Sequence, residues 1–293
     1  MSETQDTMDR RIGDQRIADQ AMPDQVIGEL NYLEPMAEKP RTLAYDPAEG
    51  EARTNAAYAP HRVEISNLRA ARIAPTLDRE GFALVRRRSA VSGFTDEDEV
   101  RRVYYPESAR IIQEATGADR VVIFDHTIRR RIAGAVDRAA GTPRQPVARV
   151  HVDHTEHSGP QRVRDLMGDE AEALLRGRVE IVNLWRPIRG PLEDAPLAMC
   201  DARSVAPEEL VASDLVYRDR SGETYGVLFN PRHRWSYVPA MREDEALLLK
   251  VYDSARDGQA RFSPHTAFED PTAPDHKLPR ESIEVRALVF HAA

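Results

Sequence analysis

The sequence predicts a mainly β fold with flanking helices (α+β), its second half closing into a β-sandwich or barrel of jelly-roll type. Three observations carry this expectation. After Pro146, strand-like runs follow one another at 147–155, 179–188, 197–205, 214–218, 224–229, 234–238, 246–252 and 283–290, punctuated by Pro, Gly and Asp. Helical signal in that half is confined to about 165–176. Ahead of Pro146 helix and strand patterns mix, and no internal repeat is evident.

Taken in order, residues 1–25 read as a polar, mobile leader without the apolar stretch of a secretory signal. Val26–Leu33 suggests a turn or two of amphipathic helix, and Tyr45-Asp46-Pro47-Ala48-Glu49-Gly50 is turn chemistry. Alternation predicts strands at 61–65 and 81–85. Thr95, followed by Asp96, Glu97 and Asp98, is a hydroxyl cap with acids in the first turn. Pro106 divides that helix or starts a second; Ile111, Ile112 and Ala115 form its buried stripe, and Gly117 is its stop. Val121–Phe124 is a short strand leading into Asp125 and His126, and 132–140 is Ala-rich and helix-like. The expected organisation is a leader (1–25), a mixed part (26–146) packed on the core, and a jelly-roll core with a metal site (147–293). The last two form one structural unit.

At 293 residues the chain can bury a substantial core. Its net charge of -8 argues against a nucleic-acid binder, because phosphate binding needs a basic surface. The runs Arg86–Arg88 and Arg129–Arg131 read as solvated faces or partners for the many Asp and Glu. A single cysteine, Cys200, excludes an internal disulfide and fits a reducing cytoplasm; its apolar neighbours suggest a buried thiol. No run reaches the roughly 20 apolar residues of a membrane helix. Oligomeric state leaves no mark on the sequence.

The chemistry centres on Val150-His151-Val152-Asp153-His154-Thr155. On a strand, residues i and i+2 share a face, so His151 and Asp153 bring an imidazole and a carboxylate to one point. That is two-thirds of the 2-His-1-carboxylate face of non-heme iron oxygenases. A third donor has to come from elsewhere, and His265 and His233 are the candidates. His154 and Glu156 make a second such pair, of opposite strand parity and therefore expected to face away. Downstream, Arg280 offers a guanidinium fork for a carboxylate, with the Ser282 hydroxyl on the same strand face. Arg286 is an alternative anchor, and Asn183 and Arg186 are further candidates for reaching a co-substrate.

These motifs occur together with Asn183-Leu184-Trp185-Arg186-Pro187-Ile188, Asn230-Pro231, His233-Arg234-Trp235, Tyr252-Asp253-Ser254, Pro264-His265-Thr266-Ala267-Phe268 and Arg280–Arg286. In that order they resemble the CmcJ/AsaB-like hydroxylase/desaturase family, from about Tyr32 onward and most densely after Val147. The resemblance implies a cupin-like double-stranded β-helix and an Fe(II)- and 2-oxoglutarate-dependent oxygenase. His151, Asp153 and a late histidine would be the ligands. In such enzymes that histidine stands near the start of the penultimate strand, which His265 does; His233 stays the alternative. The implied partners are O2 and a small molecule that is hydroxylated or desaturated in secondary metabolism. The competing reading is a cupin-like protein that binds a small acid with another metal, or without redox activity.

Overall fold

The computed structural model describes residues 22–91, 93–137 and 142–292. Most of the expected leader and residues 138–140 of the Ala-rich stretch lie outside them. Two sheets face each other. The larger runs in the order β1 (Gln25–Leu33), β3 (Tyr58–Asn67), β11 (Trp235–Tyr237), β8 (Leu197–Cys200), β13 (His265–Ala267), β6 (His151–Val152), β10 (Ser221–Val227), β9 (Leu210–Val216) and β2 (Arg41–Leu43). The smaller runs β4 (Phe82–Arg86), β12 (Glu245–Asp253), β7 (Val179–Pro187), β14 (Glu281–Phe290) and β5 (Arg120–Arg130). The fold is the expected jelly roll.

The smaller sheet explains why its strands read as unbroken apolar runs. Both of its faces are covered, so every residue of β7 and β12 is buried. On the inner face Ile181, Trp185, Leu247, Leu249, Leu288 and Phe290 pack against Val152, Leu197 and Met199 of the larger sheet. On the outer face Val182, Leu184, Leu248, Val285 and Val289 meet Val100, Tyr104, Ile111 and Ile112. Each such side chain contributes roughly 1.5–3 kcal/mol by leaving water. The outer cover is the helix Tyr105–Thr116, which ends at Gly117 in the left-handed region (φ 67°) as its sequence foretold. Its upstream cap is Asp96 rather than Thr95: the Asp96 carboxylate accepts from the amides of Asp98 and Glu99.

Several elements differ from expectation. Gln25–Leu33 is a strand, with Val26, Gly28, Leu30 and Tyr32 turned inward at period two, and it pairs along its whole length with β3. Residues 132–137 form turns and no helix. The predicted strand 147–155 shrinks to His151–Val152, because the chain bends at Asp153. The helical signal placed at 165–176 begins earlier, with the helix Ser158–Met167.

Candidate metal centre

β6 and β13 are adjacent antiparallel strands, and their register sets His265 directly opposite His151. Cross-strand neighbours share a face, so the two rings lie 4.5 Å apart, centroid to centroid. Asp153 follows at the bend, one carboxylate oxygen 3.5 Å from His151 Nε2. One ligand atom from each of His151, Asp153 and His265 lies within 4.8 Å of the others.

Both rings are held from behind. His151 Nδ1 lies 2.8 Å from the Arg149 carbonyl, and His265 Nδ1 lies 3.1 Å from the Ser263 carbonyl. A carbonyl only accepts, so each Nδ1 carries the proton and each Nε2 keeps its lone pair. Asp153 is held from across the sandwich, where Asn183 on β7 donates to its second oxygen at 2.6 Å. Burial, then the neighbouring His265, pushes His151 down to about 4, so the ring is neutral at ordinary pH. For Asp153 burial works in the opposite sense. The nearby His151, His265 and Arg286 outweigh it, and the carboxylate stays well below its ordinary range.

Two imidazoles and one carboxylate are a fitting donor set for a divalent first-row metal, with no thiolate to favour zinc. The single cysteine, Cys200, is buried and its thiol is pushed up to about 12 by burial. A second group of acids among the described residues, Asp78, Glu180 and Asp253, also lies close enough to hold an ion. There Lys250 Nζ stands 2.7, 3.0 and 2.8 Å from the three carboxylates, so an ammonium already occupies the place between them.

The triad opens onto a cavity of about 600 Å³. The inner face of β14 is polar at the end nearest it. Ser282, Glu284 and Arg286 sit opposite Arg129, Thr127 and Asp125 of β5, and beyond them Leu288 joins the apolar core. Arg286 lines the cavity and forms a forked pair with Asp125 at 2.6 and 2.9 Å. Burial opposes its charge, but Glu284 and Asp125 keep it protonated. Arg280 is not on the wall: it is buried behind it, 4.8 Å from the Trp185 ring, donating to Ser282 Oγ and the Ala195 carbonyl. Burial, then the charge of Arg129, pushes Arg280 down to about 9.

Arg129 is the residue that sequence reading missed. It lines the cavity, and burial lowers its affinity for a proton. The rest of its run behaves as expected, Arg130 pairing with Glu281 and Arg131 with Asp194 and Glu269. Only the alternation of β5, which turns Arg129 inward beside Ser282, separates them.

The remaining candidates fall elsewhere. His233 is not in the triad: it bridges Glu209 (2.8 Å) and the Tyr32 hydroxyl (3.0 Å) and stacks on Tyr32. Arg186 is three residues from Asn183, so it takes the opposite face and lies over the Tyr104 ring. His154, expected to face away, is buried and lines the same cavity, because the bend at Asp153 breaks the parity; its partner Glu156 pairs with Arg256 and Arg261.

A jelly roll with an N2O donor set at its polar end, flanked by buried guanidiniums, has the build of a non-heme iron oxygenase. Residues 30–290 match the family described as "Oxidoreductase/YMDC permease-like domain"; no helix of the described residues is long and apolar enough to cross a membrane. The chain is 35% identical over 257 residues to a hydroxylase/desaturase, efuI, of Hormonema carpetanum, covering 81% of this chain and 86% of that one. It is 32% identical over 273 residues to the Fe(II)/2-oxoglutarate-dependent dioxygenase nvfI of Aspergillus novofumigatus, covering 89% and 95%. A solved structure of the iron and alpha-ketoglutarate-dependent endoperoxidase NvfI superposes with a TM-score of 0.82 at 30% identity, over 92% of this chain and 99% of that one. The chain belongs to this family of Fe(II)/2-oxoglutarate-dependent hydroxylases and desaturases.

Proposed function

We propose that this oxygenase hydroxylates or desaturates a small organic molecule of secondary metabolism at an iron held by His151, Asp153 and His265. The observation that carries the assignment is the convergence of those three side chains, one ligand atom each within 4.8 Å. Bound there, Fe(II) would supply the oxidising chemistry with O2 while 2-oxoglutarate is decarboxylated to succinate.

The chain's own residues do the rest. The Arg149 and Ser263 carbonyls fix the two rings so that unprotonated nitrogens face the ion. Asn183 holds the Asp153 carboxylate in one orientation. Arg129 on the wall, with the charge of Arg280 and the Ser282 hydroxyl directly behind it, would hold the far carboxylate of the diacid; two neighbouring buried guanidiniums call for an anion. Arg286 is the alternative anchor, though Asp125 already occupies its fork. His233 is left out of the ligand set because both of its nitrogens have other partners.

Residues 26–146 and 147–293 would act as one unit, since in both sheets strands of the first half flank those of the second at both edges. A cytoplasmic setting is supported by the single buried free thiol, and the net charge of -8 speaks against nucleic acid as a partner. The test is succinate release on adding Fe(II), ascorbate and 2-oxoglutarate, with the loss of that release in His151→Ala. Full activity in that variant contradicts the assignment.

A further inference from the structure

We propose that the substrate of this site carries a carboxylate, and that Arg149 and Tyr58 hold it at the cavity wall beside His151. This rests on the metal and co-substrate reading above and names the substrate class for the same cavity.

The lining carboxylates are almost all matched by cations. Asp125 has Arg286 at 2.6 Å, Asp137 has Arg144 at 2.8 Å, and Asp214 and Glu223 share Lys39 at 2.5 and 2.7 Å. Asp165 has Arg162 at 4.0 Å, and Asp153 belongs to the triad. Two lining guanidiniums, Arg149 and the exposed Arg220, have no carboxylate partner among the described residues, and of the two Arg149 is the half-buried one, two residues before His151.

Its backbone and side chain do different things. The carbonyl accepts from His151 Nδ1, which places the residue against the metal ligand. Next to it, Val150 donates to the Asn31 carbonyl of β1, whose Leu33 pairs with Tyr58, so Arg149 and Tyr58 come to neighbouring places on the cavity lining. Tyr58 lines the same cavity, and its hydroxyl has no hydrogen-bond partner among the described residues. A planar cationic fork beside a free phenol hydroxyl offers the donors that a carboxylate needs. Neither group is spoken for by the protein. Phe124, on β5 of the opposite sheet, also lines the cavity, with the Arg162 guanidinium over its ring at 5.6 Å from the centroid.

The anchor is distinct from the 2-oxoglutarate subsite, because Arg280 immediately precedes β14 and Arg129 stands on β5 of the opposite sheet. A test exploits that separation. With Co(II) in place of iron and saturating 2-oxoglutarate filling its own subsite, thermal stability is measured against 4-phenylbutyrate and its uncharged amide, 4-phenylbutanamide. The acid should raise the melting temperature and the amide should not. Arg149→Gln should weaken the acid at least about tenfold, Arg149→Lys should keep part of the affinity, and Tyr58→Phe should lose a few-fold, as expected for removing a charged fork or one donor. Arg162→Gln should matter less than Arg149→Gln.

Equal effects of acid and amide would overturn the proposal, as would unchanged acid binding in Arg149→Gln. It is likewise overturned if Arg149→Gln weakens 2-oxoglutarate instead of the acid, since Arg149 would then be the co-substrate anchor. If Co(II) and 2-oxoglutarate fail to stabilise even the wild-type protein, the metal reading falls and takes this proposal with it.

Discussion

Among the described residues two groups of three metal-competent side chains lie close together, and they are built on opposite principles. In Asp78, Glu180 and Asp253 the donors are all carboxylates, and the chain supplies the cation itself as the fully buried Lys250, with Arg178 2.6 Å from Asp253. In His151, Asp153 and His265 two donors are imidazole rings, and no lysine or arginine pairs directly with the carboxylate. An internal ammonium closes the first group to solution ions. The second stays open, and its backbone-tied rings keep their lone pairs toward a common point. Metal competence by residue type therefore says little until the nearest cation has been found.

The comparison can be broken from either side. The largest effect is expected at the open group: Asp153→Ala should cut 2-oxoglutarate turnover by roughly 100-fold or more while far-UV circular dichroism stays native, because a catalytic metal is lost without a packing defect. Lys250→Met should do the reverse. Stranding Glu180 and Asp253 without their ammonium should cost about 3–5 kcal/mol in denaturant unfolding, and added metal should bind no tighter than before. If Lys250→Met is as stable as the parent, the closed group is not held by its lysine. Next, Asn183→Ala frees the Asp153 carboxylate and should weaken metal binding by roughly 10–100-fold, read by titration. Arg280→Gln removes a charged fork worth about 1.5–3 kcal/mol, which should appear as a raised KM for 2-oxoglutarate with iron binding intact.

The smallest expected effect separates the two groups along the pH axis. His151 and His154 are both held near 4 by burial, below the ordinary histidine value. The unfolded chain therefore takes up protons first, and metal-free protein should lose stability as pH falls from about 6.5 to 4. Asp253 and Asp78 lie below their ordinary value, Arg178 and Lys250 outweighing the cost of burial. Their contribution is present above the ordinary carboxylate range and is lost only as pH drops below it. Stability should fall in two stages, and His154→Gln should shrink the first.

The sequence made the core legible where both faces of a strand are covered, as in Val179–Pro187 and Glu281–Phe290, because burial leaves an apolar run. The His151–Asp153 pair and the late His265 were equally visible as chemistry. What stayed hidden was set by register. Gln25–Leu33 is too sparsely apolar to announce a strand until β3 pairs with it. Arg129 looks like its neighbours in a basic run, and only the alternation of β5 turns it inward. Asn183 and Arg186 were grouped although their odd separation sends them to opposite faces. His154 was sent outward by a parity rule that the bend at Asp153 suspends.

The most direct test of the open site is its iron stoichiometry. Anaerobic Fe(II) titration of the wild-type chain, His265→Ala and His233→Ala should give one tightly bound ion in the first and third and none in the second, since His233 is engaged by Glu209 and Tyr32. One tightly bound ion in His265→Ala, with its loss in His233→Ala, would contradict the account.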